Sequence, residues 1–333
     1  MTGVQRYTTE LLARWDGRVE RIAPNGPLRG LAGHAWEQFV LPVKLRGRLL
    51  FSPSNTGPLR AKNQVVTIHD MAPFDCSESF NPRFAAWYQF LLPKLARRAR
   101  QVITDSEFIK ERILAHAKIG ADKIVVIHCG VDPRFCPEAV TQLEEAIASL
   151  ALPSRRYVLA VGSLEPRKNL ARLFQAWDRV QQTVPEDVWL VVAGVSGSSR
   201  VFRGQRLDAL PVRVFLAGHV DERLLPALCA GAMAMAYPSI YEGFGLPPLE
   251  AMASGTAVLA GNRSSLPEIM GDAGLLVDPS DVDAIAEGLC RLVQDSSLRD
   301  DLRRRGLARA KEFSWDETAR RTWDVLQSEI AHT

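Results

Sequence analysis

Short apolar runs alternate with longer amphipathic stretches along most of the chain. Each run is free of glycine and proline, and the nine of them are 49–51, 65–68, 102–104, 124–127, 157–161, 188–193, 212–216, 233–237 and 257–260. Runs of this length are typical of buried strands, and their alternation with helical periodicity indicates parallel sheets with crossover helices. The pattern therefore predicts an α/β protein.

Two domains are expected from the spacing of these runs. Residues 137 to about 155 lack a strand pattern, and a chain of 333 residues is too long for one typical core. We therefore predict two Rossmann-like parallel-sheet domains, 1–150 and 151–333, that face a cleft.

Several predicted strands run directly into polar turns. The run 65–68 is followed by His69 and Asp70, and the run 157–161 by the stretch GSLEPRKN, residues 162–169. In open parallel sheets, ligands bind beyond the carboxyl ends of the strands. Polar turns of both halves should therefore contribute to a site in the cleft.

Residues 241–255, YEGFGLPPLEAMASG, combine glycines, two prolines and two glutamates. The prolines favour a helix start near 247, and Gly243 and Gly245 let the backbone approach a ligand just ahead of it. A helix N-terminus suits an anion. Since Glu242 precedes the helix and Glu250 lies within it, the stretch predicts a ligand that is anionic in the middle and rich in hydroxyls at both ends. An ordinary strand-to-helix turn with solvated glutamates is the alternative.

Charge and composition exclude several classes. The net charge of +3 is too small to indicate nucleic-acid binding. The sequence shows no apolar run of membrane-spanning length and no signal-peptide pattern, so we expect a cytoplasmic protein. The five cysteines are scattered and predict neither a zinc site nor a disulfide framework.

Residues 80–100, FNPRFAAWYQFLLPKLARRAR, join aromatic side chains to a basic end. Helices of this kind lie on anionic membrane surfaces, which predicts peripheral membrane contact. A core helix with a solvated basic C-terminus explains the same residues.

Other catalytic motifs are incomplete. No G-x-G-x-x-G is present because Pro248 stands at the third position, and no P-loop is present. The stretch GVSGS, 194–198, lacks the last glycine of a hydrolase elbow. Asp281 and Asp283 have the D-x-D form of some metal sites, but helix capping explains them better. We therefore predict no metal and no cofactor.

Taken together, the motifs resemble a known family. They are TGVQRYTTELL, HDMAP, VITDSEFIKERI, VVIHCGVD, VLAVGSLEPRKNLARLFQAW, VFLAGHV, PSIYEGFGLPPLEAMASGTAVLAGNRSSLPEIMGDAGLLVDP and FSWDETA. This set resembles the retaining nucleotide-sugar glycosyltransferases of family 4, which have the two-domain GT-B fold. The segments EPRKN and YEGFGLP look most like those of O-antigen and polysaccharide mannosyltransferases.

The resemblance implies how the domains divide the work. Residues 1–150 would form the acceptor-side domain and residues 151–333 the nucleotide-sugar domain, with the last helix, about 315–330, packing back on the first. It also implies mannose transfer from GDP-mannose to a polysaccharide or lipid-linked glycan, on the inner face of the membrane. Alternatives are an epimerase or phosphorylase of the same fold, or a non-catalytic subunit that binds sugar nucleotides.

The matching positions imply roles for the second-half residues. Arg167 and Lys168 would contact the donor diphosphate, where a bidentate fork and a point charge suit developing negative charge. Glu250 matches the position that holds the ribose hydroxyls. His219 and Val220 match the part where backbone contacts the base.

The donor sugar and its phosphates are implied to lie on the loop before the helix. Glu242, with Gly243, Phe244 and Gly245, matches the part that holds the sugar hydroxyls, and the Leu246 end of the loop would meet phosphate.

Two first-half residues complete the set. His69 matches a position on the reacting side of the sugar, beside Asp70, and we expect it to be catalytic. Gly3 matches the glycine-rich loop that covers the phosphates.

The chain departs from the family at its start. Val4, Tyr7 and Leu11 share one helical face, whereas the family opens with a strand, and Met1 stands where that strand should have ended. From this we expect a first sheet without its first strand, and a functional protein with roughly ten to twenty more residues upstream.

Overall fold

A computed structural model describes residues 2–26, 28, 30–45, 47–163, 165–194 and 210–331. Most of the GVSGS stretch lies outside these residues. The chain divides into two compact units: unit 1 holds residues 1–75, 85–130 and 314–333, and unit 2 holds residues 76–84 and 131–313.

All nine predicted strands are present, shifted by at most two residues at either end. In chain order the strands are β1 (Leu50–Ser52), β2 (Gln64–Thr67), β3 (Gln101–Thr104), β4 (Ile124–Val126), β5 (Arg156–Val161), β6 (Val188–Ala193), β7 (Val214–Gly218), β8 (Ala234–Tyr237), β9 (Ala257–Gly261) and β10 (Leu275–Val277). The strand β10 escaped prediction. It has three residues, each only partly buried, and so lacks the periodicity by which longer strands are recognised.

Helices connect most of the consecutive strands within the described residues. The α-helices are α1 (Gly3–Arg14), α2 (Leu31–Ala35), α3 (Leu41–Leu45), α4 (Ala72–Asp75), α5 (Pro82–Arg98), α6 (Glu107–Ala117), α7 (Leu143–Leu150), α8 (Leu170–Val180), α9 (Leu225–Gly231), α10 (Leu246–Ala253), α11 (Leu266–Met270), α12 (Val282–Gln294), α13 (Ser296–Ala310) and α14 (Trp315–Ala331). A π-helical turn, Trp36–Val40, joins α2 to α3, and short 3-10 turns cover Ser77–Ser79, Ala121–Lys123, Pro137–Gln142 and Pro166–Lys168.

The described part of unit 1 is built on a four-stranded parallel sheet with the order β1-β2-β3-β4. Every residue of β2 is buried, as expected for an inner strand of a parallel sheet. Within the described residues the unit begins with helix α1 rather than a strand, as its sequence pattern predicts.

Helix α1 begins with a capping box and is held by its apolar face. The Thr2 hydroxyl accepts a hydrogen bond from the Gln5 amide, and the Gln5 side chain accepts one from the Thr2 amide. Tyr7 and Leu11 of the predicted face are buried. At the other end, Trp15 Nε1 donates to the Ala319 carbonyl at 3.2 Å, so α14 packs on α1 within unit 1.

The described residues of unit 2 form a six-stranded parallel sheet with the order β10-β9-β8-β5-β6-β7. From β5, successive strands of the chain are added on one side of the sheet up to β7. The next strand, β8, lies on the other side of β5, and β9 and β10 follow outward from it. The strand order therefore reverses between β5 and β8, and in doubly wound sheets the crevice at such a reversal is where ligands bind.

One face of this sheet is covered by α8 and α12. Leu173, Trp177 and Leu289 are fully buried in the shared core. Gly288 of α12 allows close packing on β9, because a Cβ at that position would lie 2.4 Å from Leu259 Cδ1. The packing of α8 and α12 holds the sheet in place, and with it the ends of β5 and β8. The loops that follow these two strands carry the candidate site.

The units divide after Gly130 and after Phe313, whereas the sequence predicts a boundary near 150. Helix α7 explains the difference, because the Leu143 side chain packs against Gly231 of α9, inside unit 2. Residues 314–333, which contain the last helix, belong to unit 1.

Candidate active site

The loops that follow β5 and β8 are tied together by a buried asparagine. Asn169 adopts a left-handed conformation, with φ of 62°, directly after the 3-10 turn Pro166–Lys168. Its side-chain amide donates to the carbonyls of Pro238 (2.9 Å) and Pro279 (2.6 Å). The turn that carries Arg167 and Lys168 is therefore fixed against the loop after β8. Sequence reasoning assigned Asn169 no role, although an asparagine is among the few residues that tolerate this conformation.

A close approach of two backbones supports the same turn. Gly194 has φ of +153°, and a Cβ on it would lie 1.8 Å from the Gly162 carbonyl oxygen. Glycine is therefore required at 194, just after β6. The opening of the loop after β5 is fixed in position by this contact.

The central feature of the site is an ionic cluster in unit 2. Lys168 Nζ lies 2.8 and 3.1 Å from the two carboxylate oxygens of Glu242 and donates to the Tyr237 hydroxyl at 2.7 Å. Arg167 Nη1 reaches Glu242 Oε2 at 3.3 Å. The structure thus brings together three residues for which the resemblance implies contacts with the donor, namely Arg167, Lys168 and Glu242. Tyr237, the last residue of β8, was not among them.

Arg167 is oriented by a second carboxylate. Its Nε donates to Glu165 Oε2 at 2.8 Å, and the Ser163 hydroxyl also bonds to Glu165. Its Nη1 also donates to the Tyr241 carbonyl at 3.3 Å. Glu165 is 5% exposed. Glu165 was not identified from the sequence, although it lies two residues before an arginine that was predicted to bind phosphate.

Burial and neighbouring charges set the protonation states in this cluster. Burial alone would raise the pKa of Glu242, but Lys168 and Arg167 outweigh it and lower the pKa, so the group is a carboxylate. The pKa of Lys168 is lowered from 10.5, because burial and Arg167 together outweigh the attraction of Glu242. Burial and Glu242 raise the pKa of Tyr237 well above 10, which keeps the phenol neutral.

The loop before α10 is held by two consecutive serines. Ser264 Oγ accepts from the Glu242 amide at 3.0 Å, and Ser265 Oγ donates to the carbonyls of Glu242 (3.0 Å) and Phe244 (2.8 Å). Gly245 has φ of +108° and caps the helix. These contacts hold the loop in one conformation. Neither serine was identified from the sequence.

Helix α10 begins at Leu246, close to the predicted start, with proline in its first turn. Glu250 lies inside the helix and is 4% exposed, so the alternative of a solvated glutamate does not hold. Phe244 is also buried and packs its ring against Phe313, 5.9 Å away. Gly243 is partly exposed between these anchored residues.

His219 and Val220 directly follow β7, two strands from β5 in the sheet. The His219 side chain is exposed, whereas Val220 is 9% exposed. Both lie at the carboxyl edge of the unit 2 sheet.

In unit 1, His69 is held on both ring nitrogens. Nδ1 lies 2.6 Å from Asp105 Oδ2, and Nε2 lies 2.8 Å from the Pro53 carbonyl oxygen. Burial lowers the pKa of His69, but the Asp105 carboxylate more than offsets it, so the pKa is raised. The raised pKa favours the imidazolium form, which can donate to both oxygens. Asp105 was missed. It directly follows β3, which was a signal of the kind used for His69.

The residues around His69 have structural contacts of their own. Asp70 Oδ1 accepts a hydrogen bond from the amide of Ala72, the first residue of α4, at 3.1 Å. The Tyr7 ring meets the His69 ring edge to face, with centroids 4.8 Å apart. Gly3 is the first residue of α1, inside the capping box described above.

The basic end of residues 80–100 is engaged with unit 1. Arg97 donates to the Ala117 carbonyl at 2.9 Å, Arg98 donates to the Leu59 carbonyl at 2.6 Å, and Arg100 pairs with Glu329 at 3.3 Å. Leu91, Leu92 and Leu95 are fully buried. These contacts favour the interpretation of α5 as a core helix.

Two features are absent from the described residues. None of the helices in that part of the chain combines the length and the apolar character that crossing a bilayer requires. Nor does that part contain a group of three or more His, Cys, Asp or Glu side chains placed to hold a metal ion.

Residues 143–309 match the family Glycosyl transferases group 1, and residues 55–135 match Glycosyltransferase Family 4. The chain therefore belongs to the family Glycosyl transferases group 1. It is similar to O-antigen mannosyltransferases. It is 34% identical to the O-antigen chain mannosyltransferase B of Escherichia coli over 80% of this chain and 70% of the relative. It is 30% identical to the O-antigen chain mannosyltransferase RfbU of Salmonella typhimurium over 70% of this chain and 62% of that protein.

Solved structures with the same fold cover nearly the whole chain. The Anabaena protein HepE in complex with UDP and glucose superposes with a TM-score of 0.76 at 18% identity, over 98% of this chain and 96% of that one. WaaG, a glycosyltransferase involved in lipopolysaccharide biosynthesis, superposes with a TM-score of 0.73 at 15% identity, over the same shares. The fold is therefore GT-B, as the sequence predicts.

Proposed function

We propose that this protein transfers mannose from GDP-mannose to a polysaccharide or lipid-linked glycan, with retention of configuration. The observation that carries the proposal is the ionic cluster of Lys168, Arg167 and Glu242 at the strand-order reversal of unit 2. Support for the sugar comes from the names of the relatives, which are O-antigen mannosyltransferases.

Arg167 and Lys168 would stabilise the leaving diphosphate. When the sugar leaves, negative charge grows on the distal phosphate, and cations already in place stabilise the transition state more than the ground state. In the structure Glu165 orients the Arg167 guanidinium, and Glu242 orients the Lys168 ammonium. Little reorganisation would then be needed when the charge develops.

The loop before α10 would hold the phosphates and the sugar. The backbone N–H groups from Gly243 to Leu246 lie at the N-terminus of the helix, which favours anions. The Glu242 carboxylate would accept hydrogen bonds from sugar hydroxyls. Glu250 would do the same for the ribose, and backbone near His219 and Val220 would contact the base.

We propose that the acceptor hydroxyl attacks from the side on which the diphosphate leaves, with that phosphate as the base. The His69 imidazolium would donate through Nε2 to a sugar oxygen in place of the Pro53 carbonyl. No covalent glycosyl-enzyme is formed in this scheme. Trapping such an adduct on Glu242 or Asp70 would refute it.

Transfer should need neither metal nor cofactor, because two cationic side chains supply the positive charge that a metal ion provides in other transferases. Activity that survives EDTA supports this, and activity restored only by a divalent ion contradicts it. The proposed partners are the nucleotide sugar, a glycan or lipid-linked acceptor, and peripherally the inner face of the membrane, with no role for nucleic acid.

The test separates the three classes considered from the sequence. The protein is incubated with GDP-mannose or UDP-glucose, with and without a lipid-linked acceptor. A transferase forms product only with the acceptor present. An epimerase converts the donor without acceptor, a phosphorylase requires phosphate, and a binding subunit turns over nothing.

A further inference from the structure

Each strand of the unit 1 sheet is followed by one member of a row of polar groups. In sheet order the members are the Pro53 carbonyl after β1, His69 after β2, Asp105 after β3 and Cys129 after β4. The His69 ring bonds to both of its neighbours, because Nε2 lies 2.8 Å from the Pro53 oxygen and Nδ1 lies 2.6 Å from Asp105 Oδ2. The loops after all four strands therefore meet around the pair of His69 and Asp105.

The two partners of His69 require more protons than a neutral ring carries. The Pro53 carbonyl oxygen can only accept a hydrogen bond, and the same is true of an ionised carboxylate. A neutral imidazole has a single N–H and cannot donate to both oxygens, whereas an imidazolium can. The Asp105 side chain is only 4% exposed, so its charge needs a bonded partner of opposite sign at this position. The geometry therefore fits a doubly protonated His69 beside an ionised Asp105.

The other titratable groups around this pair do not take the place of Asp105. Burial and the Asp105 charge raise the pKa of the Tyr7 phenol, and they raise the pKa of the Cys129 thiol well above 9, so both groups stay neutral. Burial lowers the pKa of His69, Asp105 raises it, and Asp70 raises it to a smaller extent. Tyr7 packs its ring edge to face against His69 from helix α1. Asp105 is therefore the neighbour that determines both the charge and the orientation of the ring.

We propose that Asp105 is a positioning residue for sugar transfer, which holds the His69 ring through Nδ1 so that Nε2 presents its N–H to the donor sugar. This inference rests on the proposed function, in which Nε2 leaves the Pro53 carbonyl for a sugar oxygen. Asp105 contacts no substrate in this scheme. Because its bond to Nδ1 is kept during the exchange, the ring does not have to reorient. Misplacing a catalytic group by about 1 Å can cost about 100-fold in rate.

The first test is the pH profile of kcat in Asp105→Asn, which removes the charge and keeps the volume. We expect kcat to fall about 100-fold at about pH 8, with a smaller loss toward about pH 5.5, because without the carboxylate His69 is protonated only at lower pH. GDP binding, measured by calorimetry, should be unchanged and shows that the variant is folded. In a His69→Gln background, Asp105→Asn should cause no further loss of kcat, because it acts only through His69.

The second test does not depend on turnover. Nitrogen NMR shifts of the His69 ring, assigned by their absence in His69→Gln, report the proton on each ring nitrogen as the pH is changed. We expect both nitrogens to stay protonated to higher pH in the wild type than in Asp105→Asn. The matched control is Asp75→Asn, which removes a carboxylate 3.3 Å from the His116 ring in the same unit. It should leave the His69 titration and the kcat profile unchanged.

Either of two results would overturn the proposal. One is an identical His69 titration in the wild type and in Asp105→Asn. The other is a loss of kcat in Asp105→Asn that is the same at every pH and persists in full in the His69→Gln background, as a merely structural role requires. A wild-type protein that forms no mannosyl product would instead refute the proposed function, and the NMR titration would still decide whether Asp105 controls His69.

Discussion

Replacing Lys168 by methionine tests the ionic cluster most sharply, because the change removes the charge and keeps most of the volume. Lys168 and Glu242 are 12% and 7% exposed in their side chains and lie 2.8 Å apart. Breaking a buried pair by removing one partner typically costs about 3–5 kcal/mol, since the other charge stays behind. Arg167 still reaches Glu242 at 3.3 Å, so we expect a loss near 3 kcal/mol in unfolding free energy.

The same variant should lose activity for a separate reason. Removing one preorganised partner of a developing negative charge typically costs about 10²- to 10³-fold in kcat. The double variant Lys168→Met/Glu242→Gln removes the stranded carboxylate. It should recover most of the stability in urea unfolding and none of the transfer rate.

Urea unfolding and steady-state transfer assays on the single and double variants separate the two effects. If the single variant is as stable as wild type and transfers sugar at the wild-type rate, the cluster has neither role. If the double variant regains activity together with stability, Lys168 acts only by neutralising Glu242, and its assignment to the diphosphate is wrong.

Three further predictions follow from neighbouring contacts. Tyr237→Phe removes a hydrogen bond to Lys168, and it should lower kcat about tenfold with little change in melting temperature. An unchanged kcat would show that Glu242 alone positions the Lys168 ammonium. The alkaline limb of the pH profile of kcat/KM should lie below pH 10.5, because the pKa of Lys168 is lowered in the free enzyme. In Lys168→Arg this limb should move to higher pH. If it does not move, it reports the titration of another group and not of Lys168. Since the pKa of His69 is raised, its pair with Asp105 contributes stability that is fully present below pH 6.5 and is lost as pH rises through the folded-state value. Asp105→Asn should therefore cost about 3–5 kcal/mol at pH 6 and less at pH 9, and a pH-independent cost measured by urea unfolding would refute the ion pair.

The strand pattern was sufficient to predict the fold, because buried parallel strands are continuous apolar runs. Only β10 escaped. The domain boundary was harder to place, since it depends on which neighbours α7 contacts, as the packing of Leu143 on Gly231 shows. Such contacts between residues far apart in the chain leave no local signal.

The candidate site was predictable only in part, because several of its contacts also join residues that are far apart in the chain. Arg167, Lys168 and Glu242 lie in motifs with unusual composition, and the structure brings them together. Two adjacent basic residues in a turn predict solvated side chains, however, and their burial could not be read from the sequence. Tyr237 is the last residue of a strand, a position that an apolar residue often occupies. Its hydrogen bond to Lys168 could therefore not be predicted from the sequence.

His69 illustrates a limit of reading single residues. Its position after a strand predicts a functional histidine. The structure adds a buried carboxylate, Asp105, 36 residues away in sequence, and the Pro53 carbonyl on the other ring nitrogen. Protonation state depends on such neighbours and not on the residue alone.

The configuration of the product tests the central claim most directly. The protein is incubated with GDP-mannose and a lipid-linked acceptor, and the anomeric configuration of the new linkage is read by NMR. We predict a mannosyl product, formed only with acceptor, that keeps the configuration of the donor. A linkage of inverted configuration, or consumption of the donor without any glycosidic product, would contradict the account.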